Sequence, residues 1–135
     1  VKELKYRAII KEKNTTIYFT LQDIVSSKPL FSVRELLIPW LREGNIPDEY
    51  ANDEDIDHKT IYSGDILEFT ATGFGVGDGV KPWISAVVWD YGSWMVWQKV
   101  DSNSGRGHSL GAIEHDTFRR KVIGNVHENP ELLNG

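Results

Sequence analysis

A mainly β fold with a small helical part, an α+β chain weighted toward strands, is what the sequence predicts, on three observations. Segments rich in β-branched and aromatic residues recur: "KYRAII" (5–10), "TIYFTL" (16–21), "ILEF" (66–69), "WISAVVWD" (83–90) and "SWMVWQKV" (93–100). Clusters of Gly, Asn, Asp and Ser separate most of them, which is turn chemistry. Only "FSVRELLIPWLREG" (31–44) repeats its apolar residues at helical spacing.

The elements follow in order. "KYRAII" places Tyr6, Ala8 and Ile10 on one strand face, and "KEKNT" supplies the turn into "TIYFTL", the return strand of a hairpin. "DIVSSKPLFS" is a connector. Ser32 and Glu35 then have the spacing of a capping box. Val33, Leu36, Leu37, Trp40 and Leu41 share a helical face, and Gly44 is a stop signal. Pro39 lacks a backbone donor and crowds residue 35, so the expectation is a short helix over about 33–42, bent or broken near Pro39. The acidic "IPDEYANDEDIDHKT" (46–60) reads as a surface linker.

Beyond residue 60 the texture is β. Ser63-Gly64-Asp65 turns into the alternating strand Ile66–Phe69, and "TGFGVGDGVKP" (72–82) is a glycine-rich loop. "WISAVVWD" and "SWMVWQKV" flank a turn centred on Tyr91-Gly92. That centre sets Trp89 opposite Trp94, Val88 opposite Met95 and Val87 opposite Val96. One face then carries Val87, Trp89, Trp94 and Val96, the other Ala86, Val88, Met95 and Trp97. Both are apolar, so cover is expected on both sides, from a barrel interior and from another element or chain. "DSNSGRGHS" (101–109) is a flexible loop, and "GAIEHDTFRRKVIGNV" (111–126) holds a polar turn and a final strand over about 120–126.

The totals exclude several classes. A chain of 135 residues suits one domain, and without cysteine it has neither disulfides nor thiolate chemistry. No apolar run approaches the ~18 residues of a membrane span, and "VKELKYRAII" lacks the apolar core of a signal peptide. The expectation is a cytoplasmic protein with no membrane partner. The net charge of −5 argues against generic affinity for nucleic acid, and "FRRK" (118–121) is the only short basic cluster.

No catalytic, cofactor or metal motif completes itself. "GFGVGDG" (73–79) has Asp78 where a dinucleotide-binding loop needs its third glycine, and Pro82-Trp83 opens a strand instead of a helix. Asp53-Glu54-Asp55-Ile56-Asp57-His58 resembles the start of a calcium loop but has His58 and Gly64 at the positions of the required Gly and Glu. His58, His108, His115 and His127 form no metal-ligand pair at helical spacing. Ser109, His115 and Asp116 could serve a hydrolase, but no nucleophile motif supports them. The tryptophans are the most unusual feature. They read as hydrophobic core, as a partner or oligomer interface, or as a stacking platform.

"KYRA", "IYSGDILEF", "AVVWDYGSW" and "VIGNVHENPELL" occur in that order along the chain. This punctuation resembles the YopX family of phage and prophage proteins, with Ser63 where Glu is usual and His127 where Tyr is usual. The first half follows the family weakly. The resemblance implies a single domain over 1–135, with a hairpin and helix in 1–58 and a small SH3-like barrel or roll in 59–135. It implies a phage or prophage origin and a bacterial cytosol, and it supplies no active site.

The resulting expectation is a non-enzymatic protein without cofactors that acts by binding, as a homo-oligomer or on a host or phage protein. The candidate interface residues are Trp40, Trp83, Trp89, Tyr91, Trp94 and Trp97. The alternatives are nucleic-acid binding through Arg106, Arg119, Arg120 and Lys121, and a weak hydrolase around His115, Asp116 or His127. In the tail, Val122, Ile123 and Val126 fit a closing strand and Gly124 a bulge or close backbone approach. Asn129-Pro130 begins a capped turn, and Leu132 and Leu133 latch onto the core.

Overall fold

The computed structural model describes residues 5–72, 81–90, 92–99, 105–115 and 117–134. The glycine-rich 73–79 segment, Tyr91 and Asp116 lie outside them. The fold is mainly β, as expected, and the chain divides into two compact units, Val1–Tyr50 and Ala51–Gly135.

In the first unit, β1 (Lys5–Ile10) and β2 (Thr15–Thr20) form the expected antiparallel hairpin, in the register Tyr6↔Phe19 and Ala8↔Ile17. Ala8, Ile10, Ile17 and Phe19 form its core with Val33 and Leu37. The capping box lies elsewhere than expected. Thr20 and Asp23 make it: the Thr20 N–H donates to the Asp23 carboxylate at 2.8 Å, and the Asp23 N–H to the Thr20 hydroxyl at 3.4 Å. This starts α1 (Leu21–Val25), where the sequence reads as strand end and connector. Glu35 instead bonds Arg34 at 2.9 Å. The expected helix is a π-type turn, Ser32–Leu37, running into α2 (Ile38–Arg42). The Ile38 N–H reaches five residues back to the Val33 carbonyl. This wider turn gives the Pro39 ring room and leaves the helix unbroken. Gly44 ends it with φ +91° and its N–H on the Leu41 carbonyl. Arg7 and Asp48 form a buried ion pair at 2.8 Å.

The acidic 46–60 segment is not a linker. β3 (Asp48–Glu54) leaves the first unit, where Asp48 pairs with Arg7, and continues into the second beside β4 (Thr60–Tyr62). Asp55 builds the turn between them. Its Oδ1 accepts the N–H groups of Asp57 and Lys59, both at 2.9 Å, and its Oδ2 accepts that of Val122 at 3.0 Å. Asp55, which looks like part of a solvated run, is therefore the turn's internal acceptor, while Glu54 and Asp57 are exposed.

Two three-stranded antiparallel sheets complete the second unit. The first has the order β10 (Phe118–Asn125), β5 (Asp65–Ala71), β6 (Trp83–Ala86). The second has the order β7 (Val88–Asp90), β8 (Ser93–Lys99), β9 (Gly105–Ser109), so part of the expected 101–109 loop is strand. The strand expected over 83–90 breaks at Val87, which corrects the Val87–Val96 pairing. The Val87 N–H donates to the Asp65 carbonyl, and its carbonyl accepts the Gly64 N–H. Ser85 bridges the two sheets: its hydroxyl accepts the Trp97 N–H at 2.8 Å. The core packs Leu67, Phe69, Trp83, Val87, Trp94, Val96 and Leu110.

Turn Tyr62–Asp65 ties three segments together. The Asp65 carboxylate, fully buried, accepts the Tyr62 N–H at 2.9 Å. Gly64, at φ +83°, donates to Val87 and accepts from the Val126 N–H. The left-handed backbone is why glycine stands here. A bulge between Val122 and Gly124 keeps Val122 inward, opposite Leu67, and turns Gly124 outward, opposite Ile66. The Asn129 side chain rests on Gly124, where a Cβ would lie 2.7 Å from its Oδ1. The final 3₁₀ turn, Pro130–Asn134, packs against β6. Leu133 corrects the latch expectation, because it is 42% exposed.

Candidate interaction surface

Strand alternation sorts the aromatic residues. Across β10, β5 and β6 the inward row is Arg120, Phe69, Trp83, and the next inward row is Val122, Leu67, Ser85. Phe69 and Trp83 stack with ring centroids 4.1 Å apart, and the Arg120 guanidinium lies 5.6 Å from the Phe69 ring. Trp83 also adjoins the His108 ring at 5.8 Å. Burial, followed by the charge of Arg106, holds that imidazole below its usual range. Trp83 and Trp94 are thus core residues, which corrects their placement at an interface. Trp40 is half-buried on the first unit's core.

Arg120 likewise leaves the nucleic-acid list. It is 1% exposed and pairs with Asp53 at 2.6 Å. It also donates to the carbonyls of Leu110 and Ile113. The other Asp53 oxygen meets the His115 Nε2 at 2.8 Å. The signal was present in "FRRKV": Phe118 and Val122 pack on the core, and Arg120 shares their strand face. Arg119 and Lys121 point the other way, opposite Thr70 and Glu68, while Arg106 sits on β9 opposite Gln98. The exposed cations are therefore divided between two sheets. The histidines are also apart. His58 approaches Glu54, His108 bonds Gln98, His115 bonds Asp53, and His127 lies in the turn after β10. Ser109 bonds Ser93 at 2.8 Å. No group of three or more metal-ligating side chains forms among the described residues, and no helix among them is long and apolar enough to cross a membrane.

Exposed apolar side chains among the described residues include Val25, Leu30 and Phe31 in the first unit and those of the hairpin in the second. The predicted register holds: Val88↔Met95 and Trp89↔Trp94. Its inward face is covered, except that Trp89 is 57% exposed and meets Trp94 edge-on at 4.9 Å. Among the described residues no element of the chain covers its outward face. Val88 is 39% and Trp97 40% exposed, with Met95 half-buried between them. Trp97 lies flat over Gly107, where a Cβ would stand 2.7 Å from the indole. The missing side chain is what lets the ring lie along the sheet.

Asp55 carries a pH signature. Burial pushes its carboxyl up, but the three backbone N–H groups and the charge of Lys59 outweigh it, so it titrates below its ordinary value of 3.8. A lowered carboxyl stabilises the fold above its unfolded value and loses that contribution as pH falls through the folded one. Urea unfolding is therefore expected to show a loss of stability below about pH 4 that Asp55→Asn flattens. At neutral pH the same substitution costs about 1–3 kcal/mol, because its amide cannot accept all three bonds.

A search of the curated proteins finds no match to the chain. A family model described as YopX protein matches residues 48–134, from the start of β3 to the last turn. The first unit, with Lys5-Tyr6-Arg7-Ala8, lies almost wholly before that span. The match covers more than half of the chain, and it contains the Gly64 turn, the Trp hairpin and the Asn125–Leu133 tail; this protein belongs to the YopX family.

Proposed function

We propose that this YopX-family protein acts by binding and not by catalysis, and that it associates with itself through the Trp hairpin. One observation carries the reading: an open sheet face on which the apolar Val88, Met95 and Trp97 lie between Asp90 and Lys99, with Trp89 exposed beside it. Exposed apolar area of this kind, rimmed by polar residues, is characteristic of interaction sites. Tryptophan is the residue most enriched among binding hot spots. A host or phage protein on the same face is the other occupant such a surface could take.

Light scattering across a concentration series tests it. A dimer or larger species is expected to grow with concentration. Trp97→Ala is expected to weaken association about 30-fold, the equivalent of about 2 kcal/mol at a hot spot. A monomer at every concentration would overturn self-association.

A further inference from the structure

β9 is an edge strand, and among the described residues it pairs only with β8. Its side chains give it little further hold. Gly105 and Gly107 have none, and they share the outward face with Ser109, opposite Lys99, Trp97 and Met95. Val96 is fully buried and lies opposite His108, so His108 and Arg106 take the inward face. Arg106 is exposed. Within the strand, His108 is therefore the one side chain that reaches the core. Its ring packs on Trp83 at 5.8 Å, and its Nε2 meets the Gln98 Oε1 at 3.1 Å. An inward position on an antiparallel strand normally takes an apolar side chain. Here it holds a group that titrates near neutral pH.

The amide oxygen of Gln98 only accepts, so the neutral ring carries its hydrogen on Nε2 and takes a second proton on Nδ1. No acceptor among the described residues meets Nδ1. Trp83 faces the ring from β6, Val96 and Gln98 from β8, and Arg106 from its own strand. Arg106 is the only charged group among these, and it repels a second positive charge. The cation is therefore better placed in water than in the docked strand. We propose that β9 is a pH-sensitive clasp, which neutral His108 holds against Trp83 and a proton on Nδ1 releases. Burial, followed by the charge of Arg106, lowers the folded imidazole from its ordinary value of 6.5. Its contribution is therefore fully present above that value and is lost as pH falls toward the folded one. Release also withdraws Gly107 from beneath the Trp97 indole, so the outward face of the hairpin changes with it. The clasp does not rest on self-association, because the strand can be released in a monomer as well as in a dimer.

Amide hydrogen exchange read by mass spectrometry tests it, at about pH 8 and about pH 5, with rates corrected for the intrinsic effect of pH. Both conditions lie above the range in which Asp55 acts. In the native chain, segment 105–109 is expected to lose protection at the lower pH while β5 and β10 keep theirs. His108→Gln, which keeps an amide at the position, and His108→Leu, which keeps the packing, are expected to show no such loss. Melting curves at about pH 8 confirm that each variant is folded. A native β9 equally protected at both conditions overturns the clasp, and so does an equal loss in the variants. Greater protection at the lower pH would mean that the Trp83 ring face attracts the cation more than burial and Arg106 oppose it, and would also overturn it. One measurement needs no variant. The His108 ring signals of the native chain, followed by NMR, are expected to titrate below 6.5 and together with the loss of β9 protection. A ring that titrates at a different pH from that loss would show that another group releases the strand.

Discussion

Replacing Asp53 by alanine is expected to destabilise the second unit by about 3–5 kcal/mol, the cost of leaving a buried charge without its partner. Arg120 is almost wholly enclosed, between Phe118 and Val122 on the strand and beside Phe69 across it. Burial pulls its guanidinium pKa down, and Asp53 opposes that through charge and hydrogen bonding. Without Asp53 only carbonyl acceptors remain. Thermal melting should show Tm lower by at least ~10 °C. Removing the charge as well, in Asp53→Ala with Arg120→Met, should recover most of the loss, since an apolar replacement of a buried pair is often neutral. His115→Ala is expected to change stability by less than about 1 kcal/mol, because that side chain is largely solvated. A small effect of Asp53→Ala alone would show that Arg120 is not held as described.

Deleting residues 129–135 is expected to cost about 2–3 kcal/mol, for a reason different from the apolar latch that the two leucines suggest. Ile66 is fully buried, yet it lies on the outward face of β5, opposite Gly124 and Ala86. The tail covers that side, with the Asn129 side chain on Gly124 and the last turn against β6. Truncation exposes Ile66, at about 1.5–3 kcal/mol for such a side chain. It also removes the bonds of Asn129 to the Asn125 backbone, at 2.8 and 3.3 Å. Leu133→Ala alone should stay within about 0.5 kcal/mol, as for other exposed positions. Gly124→Ala should mimic part of the deletion by pushing Asn129 away. Urea unfolding of the three variants separates a docked tail from a fraying one.

Much of the architecture was legible because it depends on local rules. Period-two alternation located β1, β2, β5 and β8, and the turn centre at Tyr91-Gly92 set the hairpin register, since a two-residue connection leaves no freedom in pairing. The order of the "IYSGD" and "GNVHENPELL" motifs pointed to the family now matched over residues 48–134. The acidic segment misled because composition cannot show where a carboxylate points. Asp53 and Asp55 look like solvated charges, but their partners Arg120 and Val122 are distant in sequence. The capping box was misplaced for a related reason: Thr20-Asp23 and Ser32-Glu35 both have suitable spacing, and only the end of β2 at Thr20 selects between them.

By itself, the sequence determined the strand-rich class, the helical segment, the Trp hairpin's register and the family. Those follow from side-chain periodicity and turn chemistry, which act over a few residues. Tertiary structure alone decided which tryptophans are core and which are surface, that Arg120 is buried, and that the chain breaks at Val87 to change sheets. Each of these depends on contacts between residues far apart in the chain, where the same side chain can face the interior or solvent according to which neighbour the fold brings to it.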